Sequence, residues 1–302
     1  MPPRKSGKTA TITPIHSTRT IALANNKGGV GKTTTAFNLA GALVLCGKKV
    51  LVVDLDPQCN ASIAFNVIVD SGAPGVRHLL TEGKFNFTQC LYPRGPQCDF
   101  VPADPDLTKL QNELSLDVKG RFRLRDYLHA IVGNYDFVLL DCPPDLGILT
   151  LSALIAANEV IVPVDVGFFS VVGLARMVSF IDDVRDTYNP ALKVLGVLAT
   201  KYDSRTTLSE NAFAQIKSEG LPVFDTKIRI CVEIIRSQVA RWPVSLYAEG
   251  SNGALDYNAL AHELLAEEAV SPGGRVIPLK QRRTKAAILK DEKLWQGQTS
   301  GS

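Results

Sequence analysis

A glycine-rich loop near the amino terminus carries two lysines and a run of threonines, a combination suited to binding phosphate. Residues 26–35 read NKGGVGKTTT. Glycines let backbone N–H groups turn towards phosphate oxygens, and a helix that begins at the loop adds the positive end of its dipole. The usual spacing, GxxxxGK[ST], would place glycine at Asn26, so this loop departs from the common form. Lys27 is an additional cation at its start.

The surroundings of the loop strengthen the phosphate interpretation. An apolar run precedes it and a helical pattern follows it, which is the context of a true P-loop. There, Lys32 would lie along the β- and γ-phosphates and the Thr33 hydroxyl would bind Mg²⁺. The alternative is a glycine-rich turn without a ligand. It does not explain Gly-Lys-Thr at the helix start, because these residues have no packing role there. The predicted nucleotide-binding residues are Lys27, Gly28, Gly29, Val30, Gly31, Lys32, Thr33 and Thr34.

Three aspartates follow two other apolar runs. Asp54 and Asp56 belong to VVDLDPQ, and Asp141 belongs to VLLDCPP. A carboxylate at the carboxyl end of a strand beside a P-loop can hold Mg²⁺ or its water, or orient an attacking water. Each aspartate alone could instead cap a strand end. Together with the loop, they predict a nucleotide and magnesium site.

The elements that must position these residues are short buried strands alternating with helices. Three helical stripes lie between or after the strands, over residues 36–44 (before Gly47), 171–181 and 254–269. The pattern predicts an α/β fold, a mostly parallel twisted sheet with helices on both faces. Residues 74–106 are richer in Pro, Gly and Cys and predict a small hairpin insertion. The predicted strands are TIALA (20–24), KVLVVDLD (49–56), FVLLD (137–141), VIVPVD (160–165) and VLGVLAT (194–200).

Composition and charge set the organisation around this domain. The 302 residues carry a net charge of +3, too weak by itself to indicate a nucleic-acid partner. We predict a disordered basic arm over residues 1–18, a P-loop domain over 19–270 and a basic tail over 271–302. The amino terminus lacks the apolar core of a secretory signal, and the six cysteines form no CxxC pair. These features favour a cytoplasmic protein with reduced thiols.

The motifs KGGVGKTTT, DLDPQCNAS and DCPP together resemble the deviant Walker A, Walker A′ and Walker B motifs of the ParA/Soj partition ATPases. These ATPases share a superfamily with the septum-site ATPase MinD. The resemblance runs from about Arg19 to Ala269 and implies a P-loop NTPase of the deviant Walker A type that uses ATP and Mg²⁺. Cys59 and Cys142 depart from it, standing where the family pattern has glycine and alanine, so neither thiol is needed for the chemistry.

The resemblance assigns roles to the catalytic candidates Lys27, Lys32 and Asp56. Lys27 matches the signature lysine that reaches across an ATP-sandwich homodimer to the partner's phosphates. Two facing triphosphates repel each other, and a cation from each subunit offsets that charge only when both subunits are closed. By the same resemblance Asp56 orients the attacking water, while Thr33, Asp54 and Asp141 arrange Mg²⁺ and its waters.

Members of this family bind DNA without sequence preference through basic residues on the dimer surface, which requires clustered cations. Arg205 in YDSRT fits a family arginine, and Glu233 stands opposite another, three residues before Arg236. Each candidate could instead be an ordinary solvated charge. The resemblance also implies a ParB-like centromere-binding protein or cargo adaptor as partner, and a nucleoid location. The DNA-binding candidates are Arg205, Lys227, Arg229 and Arg236.

Two alternatives remain open from the sequence. A MinD-like membrane-associated ATPase would use the tail, where Ile288, Leu289 and Trp295 are flanked by lysines. A GTP-using switch protein would read guanine through Asp203 in TKYD (200–203). An iron–sulfur carrier would need paired cysteines, and an arsenite-pump ATPase would need a second P-loop; the sequence contains neither. Membrane binding is the less favoured alternative because the apolar face of the tail is thin.

Overall fold

The computed structural model describes residues 18–81, 86–168 and 171–270, without the side chains of residues 168, 171 and 267–270. The predicted arm (1–18) and tail (271–302) therefore lie outside the described residues, except for Thr18. Within the described ranges, seven strands form one sheet. They are β1 (Arg19–Leu23), β2 (Val50–Asp54), β3 (Tyr92–Pro93), β4 (Cys98–Val101), β5 (Phe137–Asp141), β6 (Glu159–Asp165) and β7 (Lys193–Thr200).

The strand order across the sheet is β3-β4-β2-β5-β1-β6-β7. Every neighbouring pair is parallel except β3 with β4. All five sequence-predicted strands are present, and the predicted hairpin is the β3–β4 pair. Because β4 also pairs with β2, this hairpin extends the main sheet instead of forming a separate unit.

Helices cover both faces of the sheet, as the sequence predicts. Each of the three predicted helical stripes lies in one of them. The helices are α1 (Lys32–Leu45), α2 (Asn60–Ala64), α3 (Val76–Leu80), α4 (Leu107–Leu116), α5 (Arg123–His129), α6 (Ile148–Ala156), α7 (Val171–Thr187), α8 (Thr207–Ser218), α9 (Val232–Val239), α10 (Val244–Tyr247) and α11 (Asn252–Val270).

Side chains of the strands alternate between two hydrophobic cores. In β1, Ile21 and Leu23 pack with α1, α2, α10 and α11 on one face. Ala22 packs on the other face, with α3 to α8. Successive strand residues point to opposite faces, so a strand that is buried throughout serves both cores. Because β1 and β2 both pair in parallel with β5, the carboxyl ends of these three strands meet at one edge of the sheet, which we call the nucleotide edge.

Helix α1 ends where the sequence predicts. Gly47 adopts a left-handed backbone with φ 81°, and its N–H donates to the carbonyl of Val44 at 2.9 Å. The Lys48 N–H donates to the carbonyl of Leu43 at 3.0 Å. These bonds satisfy carbonyls that would otherwise lack partners at the helix end. Across the described ranges, no helix combines the length and apolar character needed to cross a membrane.

Candidate nucleotide and magnesium site

The glycine-rich loop connects β1 to α1 at the nucleotide edge. Gly29 and Gly31 have φ of 73° and 93°, a left-handed conformation that glycine adopts without steric cost. The carbonyl of Gly31 accepts the N–H of Thr35 at 2.8 Å, which is the first hydrogen bond of α1. The chain thus turns sharply into the helix, and the helix amino terminus faces the loop.

Two polar side chains outside the motif hold the loop in place. Asn25 donates from Nδ2 to the carbonyl of Pro163 at 2.8 Å and accepts the N–H of Lys27 at 3.0 Å. At the end of β7, the Thr200 hydroxyl donates to the carbonyl of Val30 at 2.8 Å. The sequence analysis assigned neither role. The usable signal was position, because Asn25 directly follows the predicted strand 20–24 and Thr200 ends the predicted strand 194–200.

The two lysines of the loop occupy different environments. Lys32 is only 6% exposed, and its Nζ donates to the carbonyl of Lys27 at 3.0 Å. Burial lowers the pKa of Lys32, while the charge of Asp141 acts in the opposite direction. Lys27 is exposed on the rim of the loop. One lysine therefore points into the site, and the other lies where a second molecule can reach it.

The predicted metal residues meet beside the loop. Asp54 and Asp141 are paired across β2 and β5, and both are fully buried. The Thr33 hydroxyl donates to Asp141 Oδ2 at 2.7 Å. Asp141 Oδ1 is buried and has no hydrogen-bond partner among the described residues, although buried polar atoms normally have one. This oxygen is available to a ligand.

Asp54, by contrast, is held by the protein. Its Oδ1 accepts the N–H of Asp56 at 3.0 Å. Its Oδ2 accepts both the N–H and the hydroxyl of Ser62, at 2.9 and 2.7 Å. Sequence reasoning missed the role of Ser62, the last residue of DLDPQCNAS. Of these two buried carboxylates, Asp54 has both oxygens engaged by the protein, whereas Asp141 keeps one oxygen without a hydrogen-bond partner among the described residues.

Burial shifts all three carboxyl pKa values upwards. It raises the pKa of Asp54 to about 6. It also raises the pKa of Asp141, and the nearby charge of Asp54 adds to that effect. The pKa of Asp56 is raised by burial and lowered by its hydrogen bond from the Gln58 N–H. A buried set of hard oxygen atoms that resists ionisation by itself is suited to a divalent cation, and the donors present are those that Mg²⁺ prefers. These residues therefore fit Mg²⁺.

Asp56 lies close enough to Asp145 for the charge of Asp145 to act on it. Asp56 is 6% exposed, and its Oδ1 accepts the N–H of Gln58 at 2.9 Å. The charges of Lys32 and Asp145 both act on Asp56, in opposite directions. Asp145, exposed in the segment that follows β5, was missed by sequence reasoning, although it adjoins the DCPP motif.

The two cysteines of the motif segments have no sign of chemical activity. Cys59 adopts a left-handed φ of 56°, a conformation that favours the glycine expected at this position. Burial, with added repulsion from Asp54, raises the pKa of the Cys59 thiol to about 12. Cys142 is buried, and burial raises its pKa as well. Both thiols stay protonated at neutral pH.

Three of the four DNA-binding candidates gather at the carboxyl end of β7. Tyr202 and Arg229 pair as a short parallel bridge, and Lys227 Nζ lies 4.8 Å from the Tyr202 ring centre. Arg205 is 83% exposed, and its guanidinium donates to both oxygens of Asp203 at 2.9 and 2.8 Å. We call these three candidates, Arg205, Lys227 and Arg229, the β7 cation group.

Most of these cations already have carboxylate partners. Arg229 donates to Asp256 from Nε and Nη2 at 3.0 and 2.5 Å. Arg236 lies apart on α9 and pairs with Glu233 at 2.7 Å. The hydrogen bonds from Arg205 lower the pKa of Asp203 to about 2. Because both oxygens of Asp203 accept from Arg205, the carboxylate proposed to read guanine is engaged within the chain. The DNA-binding role of the four cations stays a prediction.

Comparison with known proteins gives consistent matches. A family model described as an AAA domain matches residues 18–194. The chromosome partitioning protein ParA of Caulobacter vibrioides is 38% identical over 253 residues, 83% of this chain and 95% of that protein. The chromosome-partitioning ATPase Soj of Thermus thermophilus is 41% identical over 254 residues, 82% of this chain and 96% of that protein.

One solved structure extends the comparison to three dimensions. Cobyrinic acid a,c-diamide synthase from Mycobacterium smegmatis, with bound ADP and magnesium, is similar with a TM-score of 0.74 at 33% identity. The match covers 86% of this chain and 99% of that protein. The similarities therefore span most of this chain and nearly the whole length of each of these three proteins.

Proposed function

Because this chain belongs to the ParA/Soj family of ATPases, we propose that it forms a dimer around ATP, binds DNA without sequence preference as that dimer, and positions a cargo. It is a ParA-like ATPase, and its cofactors are ATP and Mg²⁺. The proposed cargo is a plasmid or chromosome carried by a ParB-like partner or adaptor that stimulates hydrolysis. Such a protein would act in the cytoplasm on the nucleoid, with residues 19–270 as its ATPase domain.

The observation that carries this proposal is the contrast between the two lysines. Lys32 is buried beside Asp141 and can serve only its own nucleotide. Lys27 is exposed at the rim, where it can reach a phosphate bound to a second copy. A cation supplied in trans stabilises charge that develops on the transferring phosphoryl group, as an arginine finger does. Hydrolysis would remove the γ-phosphate and with it the reason for the pairing.

The remaining site residues are proposed to hold Mg²⁺, orient the attacking water and surround the phosphates. When bound, Mg²⁺ neutralises charge on the β- and γ-phosphate oxygens. We assign its protein contacts to the Thr33 hydroxyl and Asp141, with Asp54 acting through a water. We assign to Asp56 the orientation of the attacking water. Backbone N–H groups from Gly28 to Thr34 would surround the phosphates.

DNA binding is proposed for the β7 cation group, with Arg236 at a separate position. The exposure of Arg205 supports its role, because an exposed ion pair contributes little and can exchange its carboxylate for a phosphate. Arg229 is the weakest of the group in this respect, since its pair with Asp256 is half-buried.

The test compares Lys27→Ala with Lys32→Ala. Lys32→Ala removes the cation in the site, so we expect loss of ATP binding or of its productive use. Lys27→Ala should keep nucleotide affinity within about threefold and prevent dimer formation, because it removes only the cation between subunits. Affinity is measured with a fluorescent ATP analogue, and mass in solution by light scattering with a slowly hydrolysed analogue and Mg²⁺.

Asp56→Ala serves as the matched control. It leaves both lysines in place and should accumulate the ATP-bound dimer, since pairing is intact and hydrolysis is not. A wild-type protein that stays monomeric when saturated with ATP and Mg²⁺ would contradict the proposal, as would a Lys27→Ala variant that dimerises normally.

A further inference from the structure

Helix α9 presents apolar side chains in two directions. Ile234 and Ser237 are buried, and Ile234 packs against Gly253 of α11. Val232, Ile235 and Val239 are 54, 63 and 80% exposed. Their spacing of three and four residues places them on one face of the helix. These three residues are called the α9 stripe. A short helix with a buried anchor needs no second apolar face for its own folding.

The stripe lies at the nucleotide edge. Gln238, next to Val239 in sequence, donates from Nε2 to the Thr34 hydroxyl at 3.2 Å, in the first turn of α1. The segment before α9 follows the end of β7, since the N–H of Ile228 donates to the carbonyl of Ala199 at 2.9 Å. The stripe is therefore beside the loop that carries Lys27.

We propose that the α9 stripe packs against a second copy of this chain and forms an apolar part of the ATP-dependent dimer interface. The inference rests on the proposed function, because it takes the dimer face to be the edge where Lys27 is exposed. A copy that brings its phosphates to Lys27 covers the surface adjoining the loop, and α9 adjoins it. The Arg236–Glu233 pair next to the stripe, with an exposed arginine and a half-buried glutamate, matches the polar rim of a protein interface.

The course of α11 argues against the carboxyl-terminal tail as the occupant. Near its start, the Tyr257 hydroxyl lies 3.5 Å from the hydroxyl of Thr35, at the beginning of α1. Near its end, the Leu264 carbonyl accepts from Arg19 at 2.9 Å, at the amino-terminal end of β1. The helix runs away from the nucleotide edge, so the described chain ends at the opposite edge of the sheet from the stripe.

The experiment places charge on the stripe in the full chain. The double variant Ile235→Glu, Val239→Glu should weaken ATP-dependent self-association at least tenfold, because two carboxylates would have to be desolvated in the interface. Affinity of the monomer for a fluorescent ATP analogue, measured at protein concentrations below those at which the dimer forms, should be unchanged, since both replaced side chains are exposed on α9 and neither belongs to the loop. Self-association is measured by sedimentation velocity over a concentration series with a slowly hydrolysed ATP analogue and Mg²⁺.

Leu116→Glu is the matched control. Leu116 is 88% exposed and ends α4 on the other face of the sheet, and its variant should dimerise as the wild type does. If the double variant melts early, the milder Val239→Ser replaces it with the same readout. A wild type without an ATP-dependent dimer would defeat the proposed function itself. A wild-type dimer whose association constant the stripe variants leave unchanged would overturn this inference alone, whether the stripe is covered by the tail or by another protein.

Discussion

At the scale of single residues, the site stores unfavourable charge that its ligands relieve. Asp54, Asp56 and Asp141 are buried close together, and burial raises the pKa of each. Lys32 is buried beside them, and burial lowers its pKa. Lys32 and Asp141 offset each other's charge only in part, because burial still lowers the pKa of the lysine and raises that of the aspartate. Phosphate satisfies the lysine and Mg²⁺ satisfies the carboxylates, so binding of the two together is favoured over binding of either alone.

Cys59 gives a prediction at this scale because its backbone, and not its thiol, defines the position. A left-handed conformation costs a residue other than glycine about 1–2 kcal/mol. Glycine removes that strain but gains freedom in the unfolded chain, worth about 0.4–1 kcal/mol. We therefore expect Cys59→Gly to change the free energy of unfolding by less than about 1 kcal/mol and to keep ATPase activity. Urea unfolding followed by circular dichroism measures the first.

A β-branched residue at the same position should behave differently. Cys59→Val is expected to destabilise the protein by about 2 kcal/mol, because valine tolerates a left-handed backbone poorly. Cys46→Val makes the same chemical change at φ −77°, where valine is acceptable, and serves as the control. A loss above about 2 kcal/mol in Cys59→Gly would mean that the thiol itself contributes through packing.

At the scale of elements, α1 is fixed between the sheet and α10. Asn38 of α1 connects this helix to α10. Its Nδ2 donates to the Thr34 carbonyl within α1 at 2.8 Å, and its Oδ1 accepts the N–H of Val244 in α10 at 2.7 Å. Gly41, one turn further along, lets Pro243 approach the helix backbone. A Cβ added at Gly41 would lie 2.3 Å from Pro243 Cβ. The close approach of α10 thus depends on one glycine inside a helix.

Gly41→Ala tests which of two opposing effects is larger. Alanine favours the helix by about 1 kcal/mol, while overpacking against Pro243 costs about 1–3 kcal/mol. Because a separation of 2.3 Å cannot be absorbed without moving α10, we expect a net loss of about 1–2 kcal/mol and a lower melting temperature. Gly250→Ala, where an added Cβ meets nothing within 4 Å, should stay within about 0.5 kcal/mol. A more stable Gly41→Ala would mean that α10 moves at little cost.

The sequence predicts the secondary-structure elements of this protein better than it predicts the contacts between side chains in the site. The five buried strands, the loop and the termination of α1 at Gly47 follow from local pattern, because period, glycine and helix start are encoded within a few residues. The β3 strand is too short for a pattern, and its pairing depends on where β4 joins the sheet. The Arg229–Asp256 pair joins residues 27 positions apart, and the Ser62–Asp54 contact depends on how α2 folds back. Such contacts are set by the tertiary fold.

At the scale of the whole molecule, charge is distributed unevenly. Residues 271–302 contain seven Lys and Arg against two Asp and Glu, and residues 1–17 contain three Lys and Arg with no acid. The whole chain has a net charge of +3, so residues 18–270 carry a net charge of −5. An acidic domain whose surface arginines are largely paired with carboxylates attracts DNA weakly. The terminal segments therefore supply much of the positive charge available to phosphate.

This distribution predicts how DNA binding depends on salt. Each phosphate contact contributes about 0.9 to the slope of log affinity against log salt. The triple variant Lys280→Ala, Arg282→Ala, Arg283→Ala should lower that slope by about 2–3, whereas Arg205→Ala should lower it by about 1 or less, because Arg205 must first leave Asp203. Binding of the full chain to a non-specific duplex is measured with an ATP analogue and Mg²⁺ between about 50 and 200 mM salt.

Gln281→Ala with Thr284→Ala changes the same segment without changing its charge, and this control should bind as the wild type does. The comparison separates two sources of affinity, because the tail lysines and arginines are replaced without touching the nucleotide site. If the triple variant keeps the wild-type slope while Arg205→Ala removes most of the binding, the β7 cation group holds the DNA and the tail does not. If both slopes fall as expected, the acidic ATPase domain relies on its basic tail for contact with phosphate, and the β7 cation group adds to it.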